Sequence, residues 1–245
     1  MRRAILIALV LAGALAGCQE SGFDESRETQ RPLKVQHAMD PLTGTKVPGL
    51  AERPFALSAD ALGDSLALGV RPVGAIYVPP FLKARARGIE VVDQDDLTAI
   101  EAAAPDVILG DKDIEGQKDE YDELSRIAPT VMSEGEDWKL NLRLHGEALG
   151  RTNDAEELLI DWDDRVAKVR DEIGDRDIKV ILGAKPPVRE FSLEPGSVAG
   201  SIVSDLGLKT RGKADEVFEV NCGQECVGGG VLAARAALRT IERAL

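Results

Sequence analysis

The stretch that decides the fold is residues 102–131, "AAAPDVILGDKDIEGQKDEYDELSRIAPTV". A helix ends at Pro105, an apolar strand follows in "DVILG", and a charged loop leads through a helix to the apolar run "APTVM". Strands that alternate with helices of about ten residues build a parallel sheet covered on both faces. Ligand crevices of such sheets lie beyond the carboxyl ends of the strands. The charged loop after "DVILG" is therefore predicted to face a ligand cleft.

The same alternation continues on both sides of this stretch. Upstream, the patterns predict strands at 55–58, 73–78 and 89–92 and helices at 60–69, 79–88 and 95–105. Downstream, residues 153–173 place their apolar side chains on one face, which predicts a single helix roughly 30 Å long. Beyond it, "IKVILGA", "EVFEV" and a terminal helix form a smaller strand set. The expected fold class is α/β, with two Rossmann-like lobes of parallel sheet joined by one long helix and a reduced C-terminal lobe.

The N-terminus has the layout of an export signal. Arg2 and Arg3 precede an apolar run that is shorter than the about 20 residues needed to span a bilayer. Cys18 follows Leu-Ala-Gly, as in the bacterial lipobox whose cysteine is acylated, and an ordinary cleaved signal with a coincidental cysteine is the alternative. We expect an exported protein that is lipid-anchored at the cell envelope, on the outer face of the plasma membrane or in the periplasm. The expected divisions are a signal peptide at 1–17, a lipid tether and extended leading segment at 18–50, an N-terminal lobe at 51–152, a linking helix at 153–174 and a small C-terminal lobe at 175–245.

The acidic charge balance of the chain argues against anionic binding partners. The chain carries 30 Lys and Arg against 43 Asp and Glu, a formal net charge of −13. Phosphate binding needs clustered basic residues, which this chain is not expected to assemble, so a nucleic-acid partner is excluded. The same charge predicts no adhesion of the body to anionic lipid, and the membrane would be reached only through the lipid on Cys18.

Cysteine and histidine usage indicates no catalytic or metal centre. Once Cys18 is assigned to lipid, Cys222 and Cys226 remain; an exported compartment favours a disulfide between them, and two free thiols are the alternative. A zinc site would need four ligands, and His37 and His145 are far away in sequence, where structural roles are expected for both. No Gly-x-Ser-x-Gly elbow, phosphate loop or His–Cys pairing occurs, so we expect neither an enzyme nor a cofactor.

An ordered set of segments carries a family resemblance. The segments are "RPFALSADALGDSLALGVRPVGA", "DLTAIEAAAPDVILG", "YDELSRIAPTV", "WKLNLRLHGEALGR" and "GSVAGSIVSDLGL". Over roughly residues 45–245 the chain resembles the substrate-binding proteins of bacterial iron-siderophore ABC importers. The resemblance implies a monomeric lipoprotein that holds a ferric siderophore between two lobes and delivers it to an ABC permease, with iron present only inside the chelate. Cobalamin binders share this fold, so another metal chelate is an alternative, as is an interaction or regulatory lipoprotein on a degenerate scaffold.

The loops after the predicted strands supply the candidate ligand contacts. The candidates are Ser58, Tyr77, Lys112, Arg189 and Phe191, together with Trp138, where the family often has an aromatic near the ligand. Instead of contacting a ligand, Lys112 could be a solvated loop residue, and Tyr77 and Trp138 could pack in the core. Trp162 on the long helix is predicted to be a core residue. This reading requires a gap between two unequal halves that a stiff helix holds apart.

Two departures from the family pattern affect the expectations. The position of a permease-docking Glu holds Thr98, so the neighbouring Asp95, Asp96 and Glu101 are expected to provide the docking charge. Roughly fifty residues of the usual second lobe are missing between Leu208 and Val217, by comparison with the family. The acidic approach "VVDQDDL" would repel a highly negative catecholate unless Lys112, Lys185 and Arg189 offset it, which favours a hydroxamate-type chelate.

Overall fold

A five-stranded parallel sheet forms the first half of the protein. The computed structural model describes residues 31–112, 117–135, 137–184, 193–194, 196–226 and 228–245. The strands are β3 (Pro54–Ala56), β4 (Gly74–Ala75), β5 (Glu90–Val91), β6 (Val107–Asp111) and β7 (Thr130–Ser133), in the order β5-β4-β3-β6-β7. The chain moves outward from β3 to β5 and then crosses to β6 on the other side, so the strand order reverses between β3 and β6. The α/β fold class predicted from the sequence is confirmed.

Four helices connect and cover this sheet, and their starts follow ordinary capping chemistry. They are α1 (Ala59–Ala67), α2 (Leu97–Ala102), α3 (Gln117–Ile127) and α4 (Trp138–Ala148). The side chains of Ser58, Asp96 and Asp137 cap α1, α2 and α4 by accepting hydrogen bonds from backbone N–H groups of the first turn. The predicted helix at 79–88 is reduced to a 3-10 turn at Pro80–Leu82.

An antiparallel hairpin, β1 (Leu33–His37) and β2 (Asp40–Val47), packs beside β7. The Ala38 N–H donates to the carbonyl oxygen of Met132 at 2.9 Å. The hairpin lies within the predicted tether and extended leading segment at 18–50, where no strands were predicted from the sequence. The register shifts between Val35 and His37, and most of β2 is polar and solvent-facing, so no sustained alternation of apolar residues marks the hairpin.

The predicted linking helix is confirmed as α5 (Thr152–Ile173). Its buried stripe contains Leu159, Trp162, Val166, Val169 and Ile173, at the spacing of one helical face. Trp162 is 1 % exposed and makes an edge-on contact with Trp138, with ring centroids 5.0 Å apart. No helix among the described residues is long and apolar enough to cross a membrane.

The second half is small. It consists of β8 (Ile178–Ala184), which pairs in parallel with β9 (Glu216–Cys222), and of helices α6 (Val198–Asp205) and α7 (Gly230–Glu242). Cys222 and Cys226 form a disulfide that joins the end of β9 to the 3-10 turn Gln224–Cys226. The reduced second lobe predicted from the sequence is thus present as a two-stranded sheet with two helices.

The terminal helix α7 packs against α1 and α4 of the first half and also against α6, β9 and the 3-10 turn of the second half. One hydrophobic core consequently runs through both halves. Its buried residues include Val35, Leu62, Val107, Leu142, Trp162, Ile202, Val220, Val231, Leu238 and Ile241. The expectation that one long helix joins the two halves is incomplete, because α7 is buried between them and connects them a second time. The predicted boundary of a separate lobe at 175–245 accordingly does not describe how α7 packs.

Glycines make the close approach of α1 and α7 possible. A Cβ atom placed on Gly63 of α1 would lie 2.0 Å from the carbonyl oxygen of Gly229, which is backbone and cannot rotate away. Gly229 itself has a φ of 123°, in the region that favours glycine. Any larger side chain at Gly63 would push the two helices apart.

Replacing Gly63 tests this packing directly. Alanine in a helix is favoured over glycine by about 1 kcal/mol, yet we expect Gly63→Ala to lower the free energy of unfolding by about 1 to 3 kcal/mol, because overpacking outweighs propensity. Urea unfolding monitored by circular dichroism measures the change.

The matched control is Gly183→Ala in β8, where an added Cβ meets the side-chain oxygen of Asn221 at 3.3 Å. This substitution should be nearly neutral. Equal stability of the Gly63 variant and the wild type would contradict the tight contact between α1 and α7.

Candidate ligand-binding site

The reversal of strand order between β3 and β6 places a set of polar groups at one edge of the sheet. Asp111 ends β6, and its Oδ1 accepts a hydrogen bond from Ser133 Oγ at 2.7 Å. Lys112 follows directly; its N–H donates to the Ser133 carbonyl oxygen at 2.9 Å, and its ammonium pairs with Glu134. The edge therefore carries ionised groups fixed by neighbouring strands.

Three sequence-predicted residues lie at this edge. Ser58 follows β3, is half-buried, and uses its Oγ to accept from the Ala61 N–H at 3.0 Å. Tyr77 follows β4 and is 46 % exposed, and the Lys112 side chain is 39 % exposed. Because the carboxyl ends of parallel strands meet at one edge, the structure brings these three residues to the same side of the sheet.

The other predicted contacts divide into two groups. Arg189, Phe191, Lys185 and the lipidation candidate Cys18 lie outside the described residues. Trp138 is described and is only 1 % exposed, packed in the core against Trp162. The prediction that Trp138 contacts a ligand is therefore wrong, because its ring is used to join α4 to the linking helix.

The predicted docking acids lie around the start of α2. Asp95, Asp96 and Glu101 are exposed, as is Thr98. Asp96 also caps the helix, since its Oδ1 accepts from the Ala99 N–H at 2.9 Å. Permease docking by this group remains a prediction.

A buried polar cluster was not found from the sequence. Asp64 Oδ2 lies 2.8 Å from His145 Nδ1, and both side chains are fully buried. The first N–H groups of α7 complete the cluster: Val231 N–H donates to Asp64 Oδ1 at 2.8 Å, and Gly230 N–H donates to Asp60 Oδ1 at 3.0 Å. The partners are 81 to 170 positions apart, so no local pattern could reveal them.

The cluster shifts the protonation of its members. Burial, and next the charge of Asp111, raise the pKa of Asp60. Burial likewise raises the pKa of Asp64. Burial alone would lower the pKa of His145, but the hydrogen bond and the negative charge of Asp64 more than offset it, so the pKa of His145 is raised. Asp64 therefore favours the protonated form of the His145 ring.

His37 has the opposite electrostatic setting. Its Nδ1 accepts from the N–H groups of Met39 and Met132, each at 3.3 Å, so the proton is on Nε2, 2.8 Å from Thr45 Oγ1. Burial lowers the pKa of His37, which is consistent with a neutral ring. A pocket of about 360 Å³ opens beside it, between the hairpin and α4, and Glu134, the ion-pair partner of Lys112, is among its lining residues.

Within the described ranges, no group of three or more His, Cys, Asp or Glu side chains is placed to hold a metal ion. The buried His145 is paired with a carboxylate and is enclosed in the core.

Comparison with known proteins decides the family. The sequence profile of the periplasmic binding protein family matches residues 89–211. The probable siderophore-binding lipoprotein YfiY of Bacillus subtilis is 30 % identical over 233 residues, which cover 88 % of this chain and 69 % of the relative. The chain belongs to the periplasmic binding protein family. The achromobactin-binding periplasmic protein of Dickeya dadantii is 29 % identical to this chain. The alignment covers 73 % of this chain and 65 % of the relative.

Solved structures of periplasmic binding proteins share the fold. Staphylococcus aureus SirA complexed with staphyloferrin B superposes with a TM-score of 0.60 at 23 % identity, covering 87 % of this chain and 83 % of SirA. The two-lobed α/β architecture of the family therefore extends to this chain, in which the second half is reduced.

The buried cluster predicts how stability depends on pH. The folded state binds protons more tightly than the unfolded state wherever a pKa is raised, so stability falls as pH rises. His145 contributes to this loss above pH 6.5, the unperturbed value for histidine. We expect the free energy of unfolding to decrease from pH 6.5 upward by at most about 1.4 kcal/mol per pH unit.

Two variants separate the sources of this slope, measured by urea unfolding at several pH values. Asp64→Asn removes the partner charge and should flatten the slope above pH 6.5. His37→Gln should keep it, because a histidine whose pKa is lowered does not titrate there. A slope that persists unchanged in Asp64→Asn would contradict the assignment.

Proposed function

We propose that this protein is a lipid-anchored solute-binding protein that captures a ferric siderophore and delivers it to an ABC importer. The observation that carries the proposal is the 30 % identity to a siderophore-binding lipoprotein over 88 % of the chain. Family membership and the polar strand ends of the first half support it. The role is binding without catalysis, and iron enters only as part of the chelate.

The proposed ligand site begins at the carboxyl ends of β3, β4 and β6. Ser58, Tyr77 and Lys112 form the rim of the first half. Arg189 and Phe191, which follow β8 in the sequence, are proposed to contribute to the rim of the second half. Because α7 packs against both halves, we propose that the site opens by movement of its rims and not by wide separation of the lobes.

Charge at the rim favours one class of chelate. Asp111 and Glu134 contribute carboxylates around the strand ends, and Lys112 is paired with Glu134. A highly anionic catecholate would be repelled by such a surface, whereas a neutral or cationic hydroxamate chelate would not. We infer that hydroxamate-type siderophores are the preferred ligands.

The protein is proposed to work at the membrane, next to its permease. Cys18 would carry the lipid, and the exported body would work as a monomer. Asp95, Asp96 and Glu101 would meet basic residues of the permease, since docking surfaces use complementary charge.

A second candidate function is an interaction or regulatory lipoprotein on a binding-protein scaffold. The observation that favours it is the packing of α7 against α1 and α4, which joins the two halves across part of the region that a cleft would occupy. This candidate predicts no saturable binding of any chelate.

For the solute-binding function, cobalamin is the alternative ligand on the same fold.

A native mass-spectrometry titration distinguishes these functions. The purified protein is titrated with a ferric hydroxamate, a ferric catecholate and cobalamin. We expect one chelate to bind per chain, the hydroxamate more tightly than the catecholate, and Lys112→Ala to weaken binding by about 1 to 2 kcal/mol as for an ordinary buried contact.

The control is Lys46→Ala, an exposed lysine on the hairpin, which should bind as the wild type does. Tighter binding of the catecholate would reject the ligand class. Absence of saturable binding to all three compounds would reject the receptor and favour the second candidate.

A further inference from the structure

Five arginines from three separate segments converge on one face of this acidic protein. Arg235, Arg239 and Arg243 repeat every four residues along α7, so their side chains form a row about 12 Å long on one side of the helix. Arg165 of α5 joins the row through Glu242, with Nη2 and Oε2 2.5 Å apart. Arg85, from the turn after the 3-10 segment, completes this arginine face, close enough for its charge to act on Arg239.

The positive charge of the arginine face is only partly neutralised. Arg165 pairs with Glu242, and Arg235 pairs with Asp161 at 3.2 Å. Among the described residues, Arg85, Arg239 and Arg243 have no carboxylate within ion-pair distance of their guanidinium groups. Three of the five arginines therefore have no ion-pair partner among the described residues, on a protein whose net charge is −13.

The cations of the face also repel one another. Partial burial, followed by the charges of Arg165, Arg243, Arg235 and Arg85, lowers the pKa of Arg239. An anion at the face would relieve this repulsion.

The face fits a layer of phosphate groups better than a protein. All five cations are guanidinium groups, which match phosphate oxygens with paired hydrogen bonds. The row lies along the outside of a helix and is extended, which suits an array of anions on a plane. Protein interfaces add buried apolar anchors, whereas the large exposed apolar residues among the described positions include none from α7 or from residues 83–87.

We propose that the arginine face, formed by Arg85, Arg165, Arg235, Arg239 and Arg243, docks on the phosphodiester headgroups of an anionic phospholipid bilayer. The negative remainder of the body is repelled by the same surface, so this docking would orient the protein as well as hold it. From its composition the chain was expected to assemble no basic cluster and not to adhere to anionic lipid. The proposal departs from that expectation at this one face. The inference does not depend on which chelate the protein binds.

Fluorescence energy transfer from the full chain to labelled lipid tests the proposal. A donor is attached at Ala84→Cys, next to Arg85, or at Leu42→Cys on the hairpin, which is 87 % exposed. Vesicles of phosphatidylcholine alone are compared with vesicles that contain about 30 % phosphatidylglycerol as the anionic headgroup. We expect transfer from position 84 to rise about twofold on the anionic vesicles, more than from position 42, and to fall back in about 0.5 M NaCl because salt screens the attraction.

The double variant Arg239→Gln/Arg243→Gln should lose this rise, since it removes two charges without breaking an ion pair among the described residues. The control Arg126→Gln/Arg211→Gln changes the net charge equally at two other exposed arginines and should keep it. Equal transfer on both kinds of vesicle, or a rise that survives in the first variant, would overturn the proposal. Binding of a polyglutamate peptide without any response to anionic vesicles would assign the face to an acidic protein and would also overturn it.

Discussion

Two carboxylates on helix α1 hold the start of the terminal helix, and the rest of the structure depends on this contact. Asp60 and Asp64 accept hydrogen bonds from the first N–H groups of α7, where the helix dipole favours negative charge. His145 of α4 pairs with Asp64 from the other side. Three helices that are far apart in sequence thereby become one packed unit, and the reduced second half is joined to the sheet of the first.

This contact explains how a short second half can remain in place. Two strands alone form too small a sheet to be stable independently, and α7, besides covering them, buries apolar surface against α1 and α4. A buried charged pair is a weak source of net stability but is costly to break, which makes the cluster a determinant of where α7 docks. The ligand rim at the ends of β3, β4 and β6 lies next to this rigid unit, and Asp111 is shared by both through its charge on Asp60 and His145.

The parts of the structure predicted from the sequence are those with local patterns. The linking helix and the core position of Trp162 follow from helical spacing, and the strands from short apolar runs. The return of α7 could not be predicted, because its partners Asp60 and Asp64 lie about 170 positions upstream and only the fold brings them together. Trp138 was misassigned because a buried aromatic and a ligand-facing one look alike in sequence. The arginine face was missed for a related reason, since Arg85 and Arg165 join the α7 row only in three dimensions.

The contact between α1 and α7 should make the opening of the packed helices cooperative. Native-state hydrogen exchange, followed peptide by peptide in increasing denaturant, measures the free energy at which each helix opens. If the carboxylates of α1 bond the halves into one unit, then α1, α4 and α7 will open together at a common free energy, and Asp64→Asn will lower it for all three helices. Opening of α7 alone, at a lower free energy than α1 and α4 in the wild-type protein, would show that the second half is an independent lobe and would contradict the account.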